Sequence, residues 1–222
     1  LTEAEAHQLV DAARSSNTLF MEAMKCRFVP LHARVRALID SGELGRVCEL
    51  TCSQCVDYGE GDLRYLVDPV GGGALYDLGC YPMSWVEELT QGNKPQVNAC
   101  ANWRDVSGGR VDWSGDAALD FDDVRANIHW AGDAAEYDCS VLIHCERGSV
   151  LIERAHRPER AVVSHPGMED EVIAAPYDPD DFHGEIAHFC ELMRAGATES
   201  PVMPLAATIR NARLIDVVRA VM

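Results

Sequence analysis

Residues 96–152 constrain the fold of this chain more than any other stretch. Short runs of β-favouring residues are separated there by turn signals, namely Ser107-Gly-Gly, Ala131-Gly-Asp and Glu146-Arg-Gly. This pattern predicts a meander of antiparallel strands. The predicted strands span residues 96–105, 116–123, 124–131, 135–144 and 149–153, with a sixth near 161–164 or 171–174.

The segments on either side alternate between helix and strand. Thr2 and Glu5 form a capping box that begins an amphipathic helix, and Asn17 breaks its pattern. The apolar run over residues 18–28 predicts a buried strand, and residues 32–41 predict a second helix. The remaining predictions are a strand over residues 46–58, a polar loop over 59–70, and helices over 84–91, 180–195 and 205–221.

These elements predict an α+β fold built on an open, mostly antiparallel sheet. Helices would cover one sheet face, because each apolar face has to be buried against another layer. The opposite face would be solvated or used for association, which makes it a candidate surface for a homodimer.

The charge excludes one class of partner. The chain has 36 acidic residues against 19 Lys and Arg, a formal charge of −17, whereas a nucleic-acid binder needs a basic footprint. No apolar run reaches the roughly 18 to 20 residues that cross a bilayer, and the N-terminus does not read as a signal peptide. We therefore expect a cytoplasmic protein with neither nucleic-acid nor membrane partners.

The cysteines do not predict a metal site. Their number, nine, is odd and favours free thiols over a disulfide framework. Cys52-Ser-Gln-Cys55 is the one CxxC pair, and a structural zinc ion needs two further ligands at a suitable spacing. Small buried side chains are the simpler interpretation of these cysteines.

A glycine-rich turn carries the strongest candidate for chemistry. Gly71, Gly72 and Gly73 indicate a sharp turn or a close approach of the backbone to a ligand, but they match neither the dinucleotide nor the Walker pattern. Asp77 and Tyr81 follow with a spacing of one helical turn, so they would share a face as an acid–base pair. The alternative is a helix N-terminus in which Asp77 meets the helix dipole and Tyr81 packs in the core.

Three stretches, in the right order, carry a family resemblance. Gly71-Gly-Gly-Ala-Leu-Tyr-Asp-Leu-Gly-Cys-Tyr resembles the GGGxLxDxGxY/H motif of the glucose–fructose oxidoreductase, inositol dehydrogenase and MocA-like (Gfo/Idh/MocA) family. Phe20-Met-Glu-Ala-Met-Lys-Cys-Arg-Phe and the ending Phe182-His-Gly-Glu-Ile to Asp216-Val-Val-Arg resemble its dimeric dihydrodiol dehydrogenase and D-xylose dehydrogenase-like branch. The resemblance covers essentially the whole chain.

The resemblance implies a function and a set of site residues. It implies hydride transfer between NAD or NADP and a carbon bearing a hydroxyl or carbonyl on a sugar, polyol or diol, with Asp77 positioning the substrate and Tyr81 exchanging its proton. Lys25, Arg27, Gly72 and Gly73 would line the substrate pocket. The family has an uncharged residue in place of Lys25, so a cation there would favour an acidic or phosphorylated substrate. The alternative is that Lys25 is an exposed lysine at the end of the predicted strand.

The resemblance also implies a missing part. Family members begin with a Rossmann domain that carries a glycine-rich phosphate loop and a Glu-Lys-Pro sequence, and these 222 residues contain neither. Residues 1–31 would be the end of that domain and residues 32–222 the substrate-binding and dimerisation domain. The chain would then be the inactive part of a larger oxidoreductase, a sugar-binding or regulatory module, or a dimerisation domain.

Overall fold

The computed structural model describes residues 1–59, 63–90 and 94–222. Five α-helices lie in these ranges: α1 (Glu3–Ser16), α2 (Pro30–Asp40), α3 (Cys80–Thr90), α4 (His183–Ala195) and α5 (Leu205–Arg219). Strands β1 (Val47–Asp57), β2 (Gln96–Val106), β3 (Gly109–Asp120), β4 (Arg125–Ala131) and β5 (Asp133–Asp138) are followed by β6 (Val141–Cys145), β7 (Gly148–Ile152), β8 (Arg160–Ser164) and β9 (Glu171–Ala174). Within the described ranges, no helix is long and apolar enough to span a membrane.

The strands form one open sheet in the order β2-β3-β4-β1-β6-β7-β8-β9. Strand β1 pairs in parallel with β4, and the other neighbouring pairs are antiparallel. Strand β5 lies off this path and pairs with the end of β1. The predicted α+β fold with an open, mostly antiparallel sheet is therefore confirmed.

The predicted meander is correct in most of its strands but wrong in its connectivity. The earlier strand β1 lies between β4 and β6 and separates them. The predicted strand over residues 135–144 is two strands, β5 and β6, and both candidates for the sixth strand form, as β8 and β9. The placement of β1 between β4 and β6 cannot be predicted from local periodicity. The alternation of apolar and polar residues along a strand is the same whichever strands lie next to it.

One face of the sheet carries the core. Leu50, Leu119, Trp130 and Ile143 point from four different strands into this core and are fully buried there. Trp85 of α3 joins them and donates a 3.1 Å hydrogen bond to the carbonyl of Ala155. A fully buried side chain of this size contributes about 1.5 to 3 kcal/mol, so this layer anchors α3 to the sheet.

The other sheet face is polar and open. Thr51, Asn98, Asp116 and His129 project from neighbouring strands on this face, and His129 Nδ1 lies 2.8 Å from Asp116. The alternation of buried and exposed residues along these strands follows from the period of two in a pleated strand.

The predicted strand over residues 18–28 is wrong. The segment is extended without strand pairing up to Met24, and Lys25–Phe28 forms a 3₁₀ turn that leads into α2. A strand needs a hydrogen-bonding neighbour, whereas here the Phe20 amide bonds to the carbonyl of Thr198, which lies in an irregular segment. The apolar side chains of the segment pack against helices instead.

The helix predictions are confirmed with small shifts of their ends. The capping box of α1 is formed, with the Thr2 hydroxyl accepting from the Glu5 amide, and Asn17 ends the helix in the left-handed conformation at φ 51°. The predicted helix over 84–91 begins earlier, at Cys80, and Gln91 lies outside the described residues. Residues 60–62 of the predicted polar loop also lie outside them.

Candidate active site

Asp77 lies on a tight turn directly before α3. Residues Leu75–Gly79 form a single π-helical turn, a geometry that often occurs at functional sites. Oδ2 of Asp77 accepts a 2.5 Å hydrogen bond from the hydroxyl of Tyr58, which follows the last residue of β1. Burial and the Asp77 carboxylate raise the pKa of the Tyr58 phenol, so Tyr58 keeps its proton and holds the carboxylate in place.

The glycines before this turn are required by packing. A Cβ on Gly72 would lie 2.4 Å from the carbonyl oxygen of Leu66, and a Cβ on Gly73, whose φ is +105°, would lie 2.2 Å from Oδ1 of Asp112. The amides of Gly72 and Gly73 donate to the carbonyls of Asp68 and Leu66 at 2.8 and 2.9 Å. Because both amides are already paired within the protein, we do not include Gly72 and Gly73 among the ligand-binding groups of the site.

A buried carboxylate fixes the turn to the sheet. Asp112 of β3 is 1% exposed, and its Oδ2 accepts from the Leu75 amide at 2.7 Å and from Trp130 Nε1 at 2.9 Å. Arg219 of α5 lies 3.8 Å from Oδ1 of the same carboxylate. The position of Asp77 is therefore set by the strands beneath it rather than by its own helix.

Tyr81 lies in the first turn of α3, half-buried. Its ring packs beside Met24, Cys26 and Met203 and lies 5.7 Å from the ring of His156, centroid to centroid. Burial raises the pKa of the Tyr81 phenol, and the nearby Cys80, Cys26 and Asp77 raise it further. The phenol therefore keeps its proton near neutral pH.

His156 is a site neighbour that the sequence did not predict. It is 8% exposed, and burial lowers the pKa of its imidazole to about 4, with Arg157 and Lys25 adding to the effect. The ring beside Tyr81 is therefore neutral over the physiological pH range. It lies 75 residues along the chain from Tyr81, in an irregular segment after β7, so no local spacing indicates the pair.

Lys25 is buried and already paired. Its Nζ lies 2.6 Å from Oδ2 of Asp181 and 4.3 Å from the centre of the Phe182 ring. Arg157 approaches the same Asp181 oxygen at 3.6 Å. Burial opposes ionisation of Asp181, but Lys25 and Arg157 outweigh it and lower the pKa of this carboxyl. The charge of Lys25 is thus balanced inside the protein, which removes the sequence-based reason to expect an acidic or phosphorylated substrate.

The guanidinium of Arg27 is hydrogen-bonded to other groups of the protein. Its guanidinium donates to the hydroxyl and the carbonyl of Ser84 at 2.8 and 2.7 Å and to Glu87 at 2.6 Å. Glu87 is 1% exposed and also accepts from Arg210 at 2.6 Å. These contacts fasten the 3₁₀ turn to α3 and α5, and we do not include Arg27 in the proposed site.

The described residues contain no group of three or more His, Cys, Asp or Glu that could hold a metal ion. Cys52 and Cys55 of the CxxC pair are both buried, and burial raises the pKa of their thiols to about 12 and about 11. These are poor conditions for the thiolates that bind metals.

The local arrangement supports acid–base chemistry on a small organic molecule. A carboxylate held by Tyr58 (Asp77) lies on the π-helical turn and a protonated phenol (Tyr81) lies in the first turn of α3. The neutral imidazole of His156 packs beside the phenol. A carboxylate can orient a substrate hydroxyl while a phenol exchanges the proton of the reacting oxygen.

Comparison with known proteins identifies similar chains. The GFO/IDH/MocA C-terminal domain matches residues 32–151. The human trans-1,2-dihydrobenzene-1,2-diol dehydrogenase is 26% identical over 97% of this chain and 66% of its own length. D-xylose 1-dehydrogenase (NADP(+)) of Hypocrea jecorina is 33% identical over 43% of this chain and 27% of its own length.

Solved structures show the same architecture. The 3-ketoreductase KijD10 from Actinomadura kijaniata, crystallised with NADP and TDP-benzene, superposes with a TM-score of 0.82 at 25% identity, covering 99% of this chain and 67% of its own. Among the curated relatives that match nearly the whole chain, the chain spans 66% of the relative's length.

Proposed function

The chain belongs to the GFO/IDH/MocA family, and from this premise we propose that it forms the substrate-binding part of an oxidoreductase. The proposed reaction moves a hydride between NAD(P) and a hydroxyl-bearing or carbonyl carbon of a sugar, polyol or diol. Similarity to a diol dehydrogenase and to a xylose dehydrogenase supports this substrate class.

The observation that carries the proposal is the pairing of Asp77 with Tyr58 beside a protonated Tyr81. Tyr58, which lies outside the helix, holds the Asp77 carboxylate in one orientation. A carboxylate fixed from outside its helix is preorganised to orient a ligand, which is a large part of what active sites contribute.

The residues of this chain have separate roles in the proposed reaction. The nicotinamide supplies or accepts the hydride when it is bound. In the reducing direction, the hydroxyl of Tyr81 donates its proton to the carbonyl oxygen of the substrate, and in the oxidising direction the resulting phenolate takes the proton back. Asp77 accepts a hydrogen bond from a substrate hydroxyl and keeps its orientation through Tyr58.

The substrate proposed to bind beside Asp77 and Tyr81 is uncharged near the reacting carbon. Lys25, which stands where the family has an uncharged residue, forms an ion pair with Asp181 at 2.6 Å. A phosphate or carboxylate at this place would have to break a buried ion pair, which is costly.

The proposed division of the chain follows the family pattern. Residues 1–31 would belong to the cofactor-binding part and residues 32–222 to the substrate-binding and dimerisation domain. The 222 residues contain no G-x-G-x-x-G sequence, the fingerprint that holds the pyrophosphate of a dinucleotide. We therefore propose that the chain alone neither binds NADPH tightly nor turns over.

We also propose that two copies associate through the open sheet face. Strands β1 to β4 present Thr51, Ser53, Asn98 and Asn127 around a shallow groove of about 400 Å³ on this face. Side chains of two such faces would hydrogen-bond to one another, and protein interfaces carry about one hydrogen bond per 100 to 200 Å².

The proposal is tested by two measurements on the protein. NADPH fluorescence titration of the 222-residue chain is expected to show no micromolar binding. The native gene product is expected to oxidise NADPH when given aldoses or ketoses, or to reduce NADP⁺ when given diols. Saccharide binding by the chain without any turnover of the gene product would favour the alternative, a sugar-binding module that does no redox chemistry.

A further inference from the structure

An exposed tyrosine lies on the loop between β1 and the turn that carries Asp77. The side chain of Tyr65 is 59% exposed, whereas Leu66, the next residue, is 1% exposed. An aromatic ring that is open to solvent buries a large apolar area once a ligand covers it, which is why such rings are common in binding sites. What Tyr65 can bind depends on how its loop is held and on which groups lie beside it.

The loop around Tyr65 is ordered by its own backbone and by the sheet. The amides of Leu66 and Val67 both donate to the carbonyl of Leu63, at 2.9 and 3.1 Å, which closes one helical turn. The side chains of these three residues pack in one apolar cluster with residues of β3. Residues three and four apart share a face of such a turn. Tyr65 therefore lies on the opposite face, turned away from the packed side chains.

This helical turn is attached directly to the glycine segment before Asp77. The carbonyl of Leu66 accepts a hydrogen bond from the amide of Gly73 at 2.9 Å. The two backbone segments are so close that a Cβ on Gly72 would lie 2.4 Å from the same carbonyl oxygen. Tyr65 is therefore held by the same backbone segment that leads to Asp77.

The phenol of Tyr65 lies within the electrostatic field of the Asp77 carboxylate. Burial and the charge of Asp77 raise the pKa of the Tyr65 phenol. Tyr65 also adds to the raised pKa of Tyr58, whose main causes are burial and the hydrogen bond to Asp77. The three side chains are therefore neighbours. Tyr58 and Asp77 are partly buried, so Tyr65 is the most exposed of the three and presents a neutral aromatic ring.

A carboxylate beside an exposed aromatic ring matches the two kinds of surface on a cyclic polyol. The hydroxyls of such a ring point outwards and can donate to Asp77, whereas its C–H groups form a flat apolar face that can pack on a phenol ring. An open-chain polyol has no such face, and binding it immobilises several rotatable bonds. We propose that Tyr65 is a specificity-determining residue that packs on the C–H face of a ring-shaped sugar, polyol or diol while Asp77 binds its hydroxyl.

This inference rests on the proposed function for the role of Asp77 and narrows the substrates to cyclic ones. The contact adds binding and no chemical step. Because the apolar ring face is nearly the same before and during hydride transfer, the contact stabilises the bound substrate and the transition state about equally. Such uniform binding lowers KM and leaves kcat unchanged.

The test compares two diols that share the reacting group and differ in the ring. The ring of trans-cyclohexane-1,2-diol offers the C–H face, which butane-2,3-diol lacks, and NADP⁺ reduction by the native gene product is measured with each. Tyr65→Ala is expected to raise KM for the cyclic diol roughly four- to fifteenfold, the contribution of one or two buried CH₂ groups. We expect kcat, and KM for the open-chain diol, to stay near wild type. Tyr65→Phe restores the ring and is expected to recover most of the loss.

Tyr137→Ala is the matched control. Tyr137 on β5 is also 59% exposed, but its phenol has its pKa raised by burial and by Cys139 rather than by Asp77. This variant should leave KM unchanged for both diols. An equal rise of KM for the two diols in Tyr65→Ala, an equal rise in Tyr65→Ala and Tyr137→Ala, or no recovery in Tyr65→Phe would overturn the proposal.

A binding measurement separates this proposal from the reaction itself. A diol cannot react with NADPH, so both are added to the native gene product, and binding of the cyclic diol is followed by saturation-transfer difference NMR with irradiation of aromatic protons. We expect transfer to the ring C–H protons in wild type and Tyr65→Phe, and a clearly weaker signal in Tyr65→Ala. This pattern in a gene product that never reduces NADP⁺ would refute the proposed reaction and leave the contact standing. NADP⁺ reduction with the same KM and the same signal in Tyr65→Ala would refute the contact and leave the oxidoreductase in place.

Discussion

The hydroxyl of Tyr58 donates a 2.5 Å hydrogen bond to Oδ2 of Asp77 and joins the end of β1 to the turn before α3. The ring of Tyr58 is held in turn by an edge-to-face contact with Trp113, with 5.8 Å between the ring centres. The two residues are 19 positions apart in the sequence, so the carboxylate is positioned by the sheet and not only by its own helix.

Removal of this hydrogen bond is expected to destabilise the fold. Tyr58→Phe keeps the ring against Trp113 but leaves the half-buried Asp77 carboxylate without its donor. A hydrogen bond to a charged group contributes about 1.5 to 3 kcal/mol, and we expect a loss near the lower end of that range. Urea denaturation measures it, with Tyr65→Phe as the control, because Tyr65 is 59% exposed. Equal losses in the two variants would contradict the role of Tyr58.

The glycine turn provides a matched pair of substitutions. Gly73→Ala places a Cβ 2.2 Å from Asp112 Oδ1 at a φ of +105°, whereas Gly71→Ala meets nothing within 4 Å. Strained backbone of this kind costs about 1 to 3 kcal/mol before the clash is counted. We expect the midpoint of denaturation to fall clearly for Gly73→Ala and to stay near wild type for Gly71→Ala. An unchanged midpoint of denaturation for Gly73→Ala would contradict this expectation, because the turn would then have moved to make room for the Cβ.

The buried ion pair of Arg27 and Glu87 is expected to matter far more than an exposed one. Arg27→Met removes one partner of the Glu87 carboxylate, which is 1% exposed and keeps its ion pair with Arg210. Breaking one side of a buried pair costs about 3 to 5 kcal/mol. Arg46→Met breaks the pair with Glu146, in which the arginine side chain is 75% exposed, and should cost less than about 1 kcal/mol. Thermal unfolding of both variants measures the loss of stability. Equal losses in Arg27→Met and Arg46→Met would show that the buried pair of Arg27 and Glu87 contributes no more than the exposed one.

His156 predicts a specific dependence of stability on pH. Its imidazole titrates near pH 6.5 when unfolded and at about 4 when folded, so the unfolded chain binds more protons between these values. The stabilisation is complete above about pH 6.5 and is lost as the pH falls towards 4, by up to about 3 kcal/mol.

The variant His156→Asn isolates this contribution. The difference in unfolding free energy between wild type and variant should shrink as the pH falls from 6.5 to 4. His7→Asn, whose imidazole on α1 is 51% exposed, serves as the control and should follow the wild-type curve. A pH-independent difference for His156→Asn would contradict a neutral buried imidazole.

Local signals predicted much of the fold. The capping box at Thr2 and Glu5 and the alternation along β1 report the immediate environment of each residue, and these elements formed as expected. The strand predicted over residues 116–123 is β3, which begins earlier, at Gly109. The strand predicted for residues 18–28 failed because a short apolar run has the same pattern whether it pairs with a strand or lies between helices. The position of β1 in the sheet depends on pairing with residues 76 positions further along the chain, such as Glu49 with Arg125, which no local pattern records.

The sequence indicated Asp77 and Tyr81 as candidate site residues, but it did not indicate which residues contact them. The spacing of Asp77 and Tyr81 predicted a shared helix face, and the structure places Asp77 on the π-helical turn and Tyr81 in the first turn of α3. Their partners come from elsewhere in the chain: Tyr58 from the end of β1 and His156 from the segment after β7. Lys25 was read as a free cation because its partner Asp181 lies 156 residues further along the sequence.

The central claim is that Tyr81 exchanges the proton that accompanies hydride transfer. The most direct measurement is NADPH oxidation by the native gene product with wild-type Tyr81 and with Tyr81→Phe, each across a range of pH. We expect Tyr81→Phe to lower kcat by roughly 10² to 10⁴, the usual contribution of a general acid, with the far-ultraviolet circular dichroism unchanged. An undiminished kcat with the wild-type pH profile would contradict it.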